Sequence, residues 1–226
     1  PISSYQSVSE LKRLYDDPDN RETLELTATQ TQYRFTNDEL AEPKFLSTKK
    51  EISAAEIGTA THLVMQLLPL NQLPQRSEIE RLIEELVVRR TLTEEIAEKI
   101  PVEAILQFLT TELGQSLIQS ADHLYREEPF AMLLPADQLF KDYQNQDEIL
   151  VHGIIDGYVE FADHLLLYDL KTDYYTPERE GQLIDRYRGQ INLYKTALEK
   201  AKQKPVTAAY LIFLQGNKAI NLLKTP

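Results

Sequence analysis

The stretch from Gly153 to Leu214 restricts the fold of this chain more than any other part of it. Gly153–Phe161 and Leu165–Lys171 are short runs rich in isoleucine, leucine, valine and aromatic residues, with Ala162-Asp163 placed as a tight turn between them. A helical period follows from about Pro177 to Gln203, where Ile184, Tyr187, Ile191, Tyr194, Leu198 and Ala201 recur at steps of three and four. Val206–Leu214 returns as a strand, and Lys218–Leu223 reads as one more edge strand. Arg126–Leu134 reads as a strand ahead of the hairpin. Strands joined by one long helix require a small mixed sheet covered by that helix, an α/β (α+β) unit.

The upstream half reads differently. Ser53 caps a helix that runs to about Leu68 and stops before Pro69; Arg76–Arg90, Thr93–Lys99 and Pro101–Gln119 are further helical segments. Residues 3 to 17 read as a short helix capped by Ser7 or Ser9, and Pro18 to Lys50 as an extended linker with no lasting period. The expected division is residues 1–52 as entry helix and linker, and 53–226 as one domain. That domain has a helical part (53–125), then the sheet and long helix (126–226). A chain that starts at Pro1 reads as a piece of a longer or processed polypeptide.

The hairpin carries the chemistry. A turn at Ala162-Asp163 sets Asp156 opposite Asp169, and alternation puts Lys171 on the Asp169 face. Ile155, Val159, Phe161, Leu166, Tyr168 and Leu170 then share the other face as core. Like charges facing each other in a sheet are destabilising, so the pair calls for a positive charge between them. Lys171 supplies one, and a divalent cation with hard oxygen ligands, Mg²⁺ above all, would supply the rest. Two carboxylates, a metal and a lysine suit phosphodiester hydrolysis. The residues alone also permit a solvated face with Lys171 in a surface ion pair, and Gly157 could bulge the strand and shift the pairing.

Composition narrows the field. Asp and Glu total 36 against 24 Lys and Arg, a net charge of −12, which excludes a basic, tail-driven nucleic-acid binder but not a metal-dependent enzyme. No cysteine is present, so no disulfide, zinc finger, iron–sulfur cluster or thiol nucleophile can form, and the cytoplasm is a compatible compartment. The longest apolar run, His62 to Leu70, is too short to span a membrane. Lys49-Lys50 and Arg89-Arg90 are too short to be DNA tracks.

Gly153-Ile-Ile-Asp156, then Asp169-Leu-Lys171-Thr172, then Gln190 and Tyr194 resemble the RecB-type motifs of the PD-(D/E)XK nuclease superfamily. Gly58-Thr-Ala-Thr-His62, Arg126-Glu-Glu128-Pro-Phe130 and the opening Ser7-Val-Ser9-Glu-Leu-Lys are similar to the same family in order. Within it the chain resembles the nuclease domains of the AddA/RexA family of helicase–nucleases; the AddB type carries an iron–sulfur cluster that a cysteine-free chain cannot hold.

The resemblance implies a restriction-endonuclease-like core and a Mg²⁺-dependent exonuclease, with Mn²⁺ or Ca²⁺ as substitutes. It implies single-stranded DNA delivered by a helicase as substrate, cutting of the 3′-terminated strand, a partner of the AddB/RexB type, and no membrane. It further implies His62, Asp156 and Asp169 as metal ligands with the Leu170 carbonyl, Lys171 as the catalytic lysine, and Glu128 as an acidic residue that orients the site. Gln190 and Tyr194 are implied to hold the DNA backbone and the site. From spacing, Gln190 and Tyr194 share one helix face with Arg186 and Tyr187 close by, although Tyr187 and Tyr194 also fit core positions. The rival reading is a nuclease-like module that keeps the fold as a docking or structural domain.

Overall fold

The computed structural model describes residues 5–7, 52–136 and 147–224. The expected linker over 18–50 lies outside these residues. The chain forms two compact units, one of Pro1–Glu51 with Pro129–Gly153, the other of Ile52–Glu128 with Ile154–Pro226.

In the first unit, β1 (Tyr5–Ser7) pairs in parallel with Leu150–His152 of β3 (Glu148–Glu160). The expectation of a helix over 3–17 is therefore corrected at residues 5–7: ladder partners distant in sequence outweigh a weak local helical preference. Met132 and Leu134 of β2 (Leu124–Pro135), with Ile149 and Val151 of β3, are the alternate, buried residues of this unit. β3 starts five residues before the strand read at Gly153.

The second unit holds the helices. α1 (Ala54–Leu67) begins with a capping box, the Glu56 N–H donating to Ser53 Oγ and the Ser53 N–H donating to Glu56 Oε2 at 2.8 Å. Leu68, which precedes Pro69, is already extended (φ −63°, ψ 123°), because the proline ring disfavours helical backbone in the residue before it. α2 (Arg76–Val88), α3 (Glu94–Ala97), α4 (Val102–Leu109) and α5 (Glu112–Gln119) follow.

The single helix expected over 101–119 is two. Thr111 leaves helical geometry and its hydroxyl accepts the Gly114 N–H at 3.1 Å, starting α5 afresh. A straight helix of that span would extend about 28 Å. The break lets Ile105, Phe108 and Leu109 of α4 and Leu117 of α5 join one core with Val64, Leu68 and Ile79.

β3 and β4 (Leu165–Lys171) are antiparallel, with Gly157 opposite Tyr168 and Glu160 opposite Leu165, the register implied by a turn at 162–163. Gly157 does not bulge the strand. A Cβ there would sit 2.1 Å from the Tyr168 ring, so glycine is what lets that ring lie across the neighbouring strand. α6 (Glu180–Lys202), preceded by a 3₁₀ turn at Pro177–Arg179, returns the chain to β5 (Val206–Phe213), which is parallel to β4; β6 (Lys218–Asn221) closes the edge antiparallel to β5.

Both faces of this mixed sheet are covered. Val159, Tyr168, Leu170 and Ile212 join the core of the helical region, while α6 brings Leu183, Tyr187, Ile191, Tyr194 and Leu198 onto the opposite face. Each fully buried leucine or isoleucine here contributes about 1.5–3 kcal/mol. Among the described residues no helix is long and apolar enough to cross a membrane.

Candidate active site

The site lies where the β3–β4 ladder stops being regular. Beyond the Gly157–Tyr168 pair, the Leu170 N–H donates not to a carbonyl but to Asp156 Oδ2, at 2.7 Å. The same oxygen lies 3.5 Å from His62 Nδ1, and His62 Nδ1 lies 3.9 Å from Glu127 Oε1. Ligand atoms of His62, Glu127 and Asp156 all fall within 4.8 Å of one another.

Two contacts bring α1 and β2 to this place. Gly58, one turn before His62, faces Thr172 so closely that a Cβ would sit 3.0 Å from its Oγ1. Arg126 Nη1 donates to the carbonyls of Met65 and Leu68, both at 2.7 Å, and so caps the C-terminal end of α1 from β2. The next residue, Glu127, takes a left-handed backbone conformation (φ 53°), which costs a non-glycine residue about 1–2 kcal/mol. Arg126, Glu127 and Glu128 are all half-buried, an interruption in the alternation of β2.

The structure thus brings Glu127, rather than Glu128, beside His62 and Asp156. The Glu128 charge is felt instead by the Tyr158 hydroxyl, whose pKa burial raises, Lys202 lowers, and Glu128 and Glu160 raise further. Strand alternation says that only one of the two glutamates can face the site. It does not say which, because the left-handed turn at Glu127 leaves no mark in composition.

Asp169 is wholly buried, 0% exposed. Lys171 Nζ stands 2.6 Å from its Oδ2 as an ion pair off the hydrogen-bonding directions, so neither carboxylate oxygen has a directed donor. Burial pushes the Asp169 carboxyl above the usual range, and the Lys171 ammonium pulls against that shift. The ammonium is itself held in place: Nζ donates to Gln190 Oε1 at 3.1 Å and lies 4.3 Å from the centre of the Tyr187 ring. Gln190 Nε2 donates to the Tyr194 hydroxyl at 2.7 Å, and the Tyr187 hydroxyl donates to Asp173 Oδ2 at 2.6 Å.

Gln190 and Tyr194 therefore meet as their spacing on α6 requires, and they form a chain that ends on Lys171. Tyr187 is a partner of the lysine that the motifs left without a role, and Asp173 holds the Tyr187 hydroxyl. Burial raises the hydroxyl pKa of both tyrosines, so they stay neutral donors and acceptors. The solvated-face reading of the hairpin is excluded, since Asp169 has no exposure.

His62 shows what the site demands. Burial opposes its charge, yet the facing Asp156 and Glu127 carboxylates, with the nearby Asp169 charge, outweigh burial and push its pKa up to about 10. Without a metal, the protonated imidazole is the cation of this cluster. A buried carboxylate lacking directed donors beside a histidine and two half-buried carboxylates is a donor set that fits a divalent cation, which would displace that proton.

A family model described as the PD-(D/E)XK nuclease superfamily matches residues 25–222. The chain belongs to that superfamily, and its helix-flanked mixed sheet is of that kind. Its relatives include the A-type subunit of the ATP-dependent helicase/nuclease of Enterococcus faecalis, 42% identical over 97% of this chain. The proteins of the same name from Levilactobacillus brevis and Pediococcus pentosaceus are 41% and 42% identical over 94% and 97% of it. The chain spans about 18% of the length of each of these relatives.

Proposed function

We propose that this chain is the metal-dependent DNA exonuclease domain of an ATP-driven helicase–nuclease of the AddAB/RexAB type. It hydrolyses phosphodiester bonds while double-strand break ends are processed, on the 3′-terminated strand. The observation that carries the reading is the buried Asp169–Lys171 pair set against the His62, Glu127 and Asp156 cluster. The names of the relatives, which join helicase and nuclease in one polypeptide, support the larger assignment.

His62, Asp156 and Asp169 would hold Mg²⁺, with the Leu170 carbonyl as a further ligand. Glu127, beside His62 and Asp156, would take the acidic role that the resemblance gives to Glu128. When bound, the metal supplies Lewis acidity toward a phosphoryl oxygen. Lys171, fixed by Asp169, Gln190 and the face of Tyr187, offers a positioned ammonium to the phosphoryl oxygens as charge develops there. The Asp173–Tyr187 and Tyr194–Gln190 contacts fix that ammonium in one place before substrate arrives.

The test is hydrolysis of single-stranded DNA with Mg²⁺ and with a chelator. Cleavage that needs the metal and disappears in Asp169→Ala and Lys171→Ala is expected. Cleavage that survives both substitutions removes the reading, and no cleavage at all leaves the docking-module reading in its place.

A further inference from the structure

We propose that Tyr174 is a stacking platform for an unpaired nucleobase of the strand that reaches Lys171, an inference that rests on the nuclease reading. Tyr174 lies three residues past Lys171 on the segment that joins β4 to α6, and it is 62% exposed. Among the described residues its ring has no aromatic partner and its hydroxyl no hydrogen bond.

The exposure is not a product of a loose loop, because each neighbour of Tyr174 is tied down. On one side, Asp173 accepts the Tyr187 hydroxyl at 2.6 Å and faces Arg186 Nη1 at 3.5 Å. On the other, the Tyr175 N–H donates to the Gln215 carbonyl at 3.0 Å, its hydroxyl donates to Glu180, and its ring packs 5.7 Å from that of Phe213. Arg179 donates to the carbonyl of Tyr174 itself at 3.2 Å. The backbone is anchored, and of the loop's two tyrosine rings one packs on Phe213 while that of Tyr174 is left in water.

The charged groups in contact with this loop, Arg179, Arg186 and Lys218 against Asp173, Glu178 and Glu180, balance, whereas the chain as a whole carries −12. Arg179 and Arg186 flank the loop, and its carboxylates are already engaged. Asp173 is taken by Tyr187 and Arg186, Glu178 by Thr176 and its own backbone, and Glu180 by Tyr175 and Lys218. An exposed aromatic ring, with one arginine on its own carbonyl and another on the preceding Asp173, three residues past Lys171, offers what a single strand needs: stacking for its bases and positive charge for its backbone. Stacking is tolerant of sequence, as an exonuclease that must accept any base requires.

The test uses the full-length natural protein without ATP and measures the KM for cleavage of oligo(dT) and of an equally long abasic deoxyribose-phosphate oligomer. Tyr174→Ala is expected to raise the KM for oligo(dT) by about 5- to 100-fold and to leave the abasic oligomer unaffected. Tyr174→Phe, which keeps the ring, restores the native value. An unchanged KM for oligo(dT) in Tyr174→Ala, or an equal rise for both oligomers, overturns the proposal. A second readout does not depend on cleavage: with Ca²⁺ present, light-induced crosslinking of an oligonucleotide carrying 5-iodouracil is expected to map to Tyr174. If the native protein fails to cleave but forms this adduct, the nuclease reading falls and the stacking site stands. Crosslinks that map elsewhere overturn the stacking site.

Discussion

The two ends of the β3–β4 hairpin obey different rules. Near the turn, Gly157–Glu160 and Leu165–Tyr168 pair residue by residue, and most of these side chains are buried, with Glu160 paired to Lys202 and Lys204 at the rim. At the far end the Leu170 N–H turns to a side chain, a carboxylate is sealed from water, and a lysine occupies the next position on its face. One end is held mainly by shape, the other mainly by charge. The difference teaches that the β3–β4 pairing loses its regularity where Asp156 and Asp169 lie, which is where a functional site is expected to depart from the local rules of sheet formation.

The largest test of this contrast is at Asp169. Asp169→Ala is expected to lower metal-dependent cleavage by about 10³-fold or more, while the melting temperature holds or rises because a costly buried charge is gone. A large loss of stability instead would make Asp169 a structural residue and erase the contrast.

Next comes Lys171→Met, expected to reduce kcat/KM by about 10²- to 10³-fold. It also leaves the Asp169 carboxylate without its cation. Because the folded-state pKa of Asp169 lies above the unfolded value, its charging opposes folding. The destabilisation measured by denaturant should therefore be greater at pH 8 than at pH 5.

The two glutamates of β2 sharpen the boundary of the charged end. Glu127→Gln should cost about 10- to 100-fold in metal affinity or rate, whereas Glu128→Gln, whose charge bears on Tyr158, should stay within about 2-fold. Equal effects would show that the cluster extends farther than its contacts indicate.

At the regular end, Gly157→Ala drives a methyl into the Tyr168 ring and should cost about 1–3 kcal/mol. Cleavage per folded molecule should be unchanged.

The smallest effect concerns His62 in metal-free protein. Its folded-state pKa is raised to about 10 from 6.5, so the stability it contributes is complete below pH 6.5 and is lost as pH climbs toward 10. His62→Gln should flatten that alkaline slope by about 1 kcal/mol.

Much of this was legible in the chain because it depends on short-range pattern. The Ala162-Asp163 turn fixed the hairpin register, and the spacing of Gln190 and Tyr194 put them on one face of α6. The capping pair Ser53 and Glu56 marked the start of α1. What could not be read depends on distant partners or on backbone torsion. The strand at Tyr5–Ser7 exists through its pairing with Leu150–His152, and the break at Thr111 serves a core gathered from four helices. Glu127 enters the cluster through a left-handed φ that glutamate does not advertise. Tyr187 looked like plain core, and it is core, but its ring face also holds the lysine.

The clasp of Arg126 on Met65 and Leu68 has a consequence for how this domain can change in length. It ties the start of the strand that carries Glu127 to the end of the helix that carries His62, across 58 residues of chain from Leu68. Everything between becomes a handle with both ends pinned together. Turns between α2, α3, α4 and α5 can lengthen or shorten, and the handle changes size, while the distance across its base, on which the site depends, stays the same.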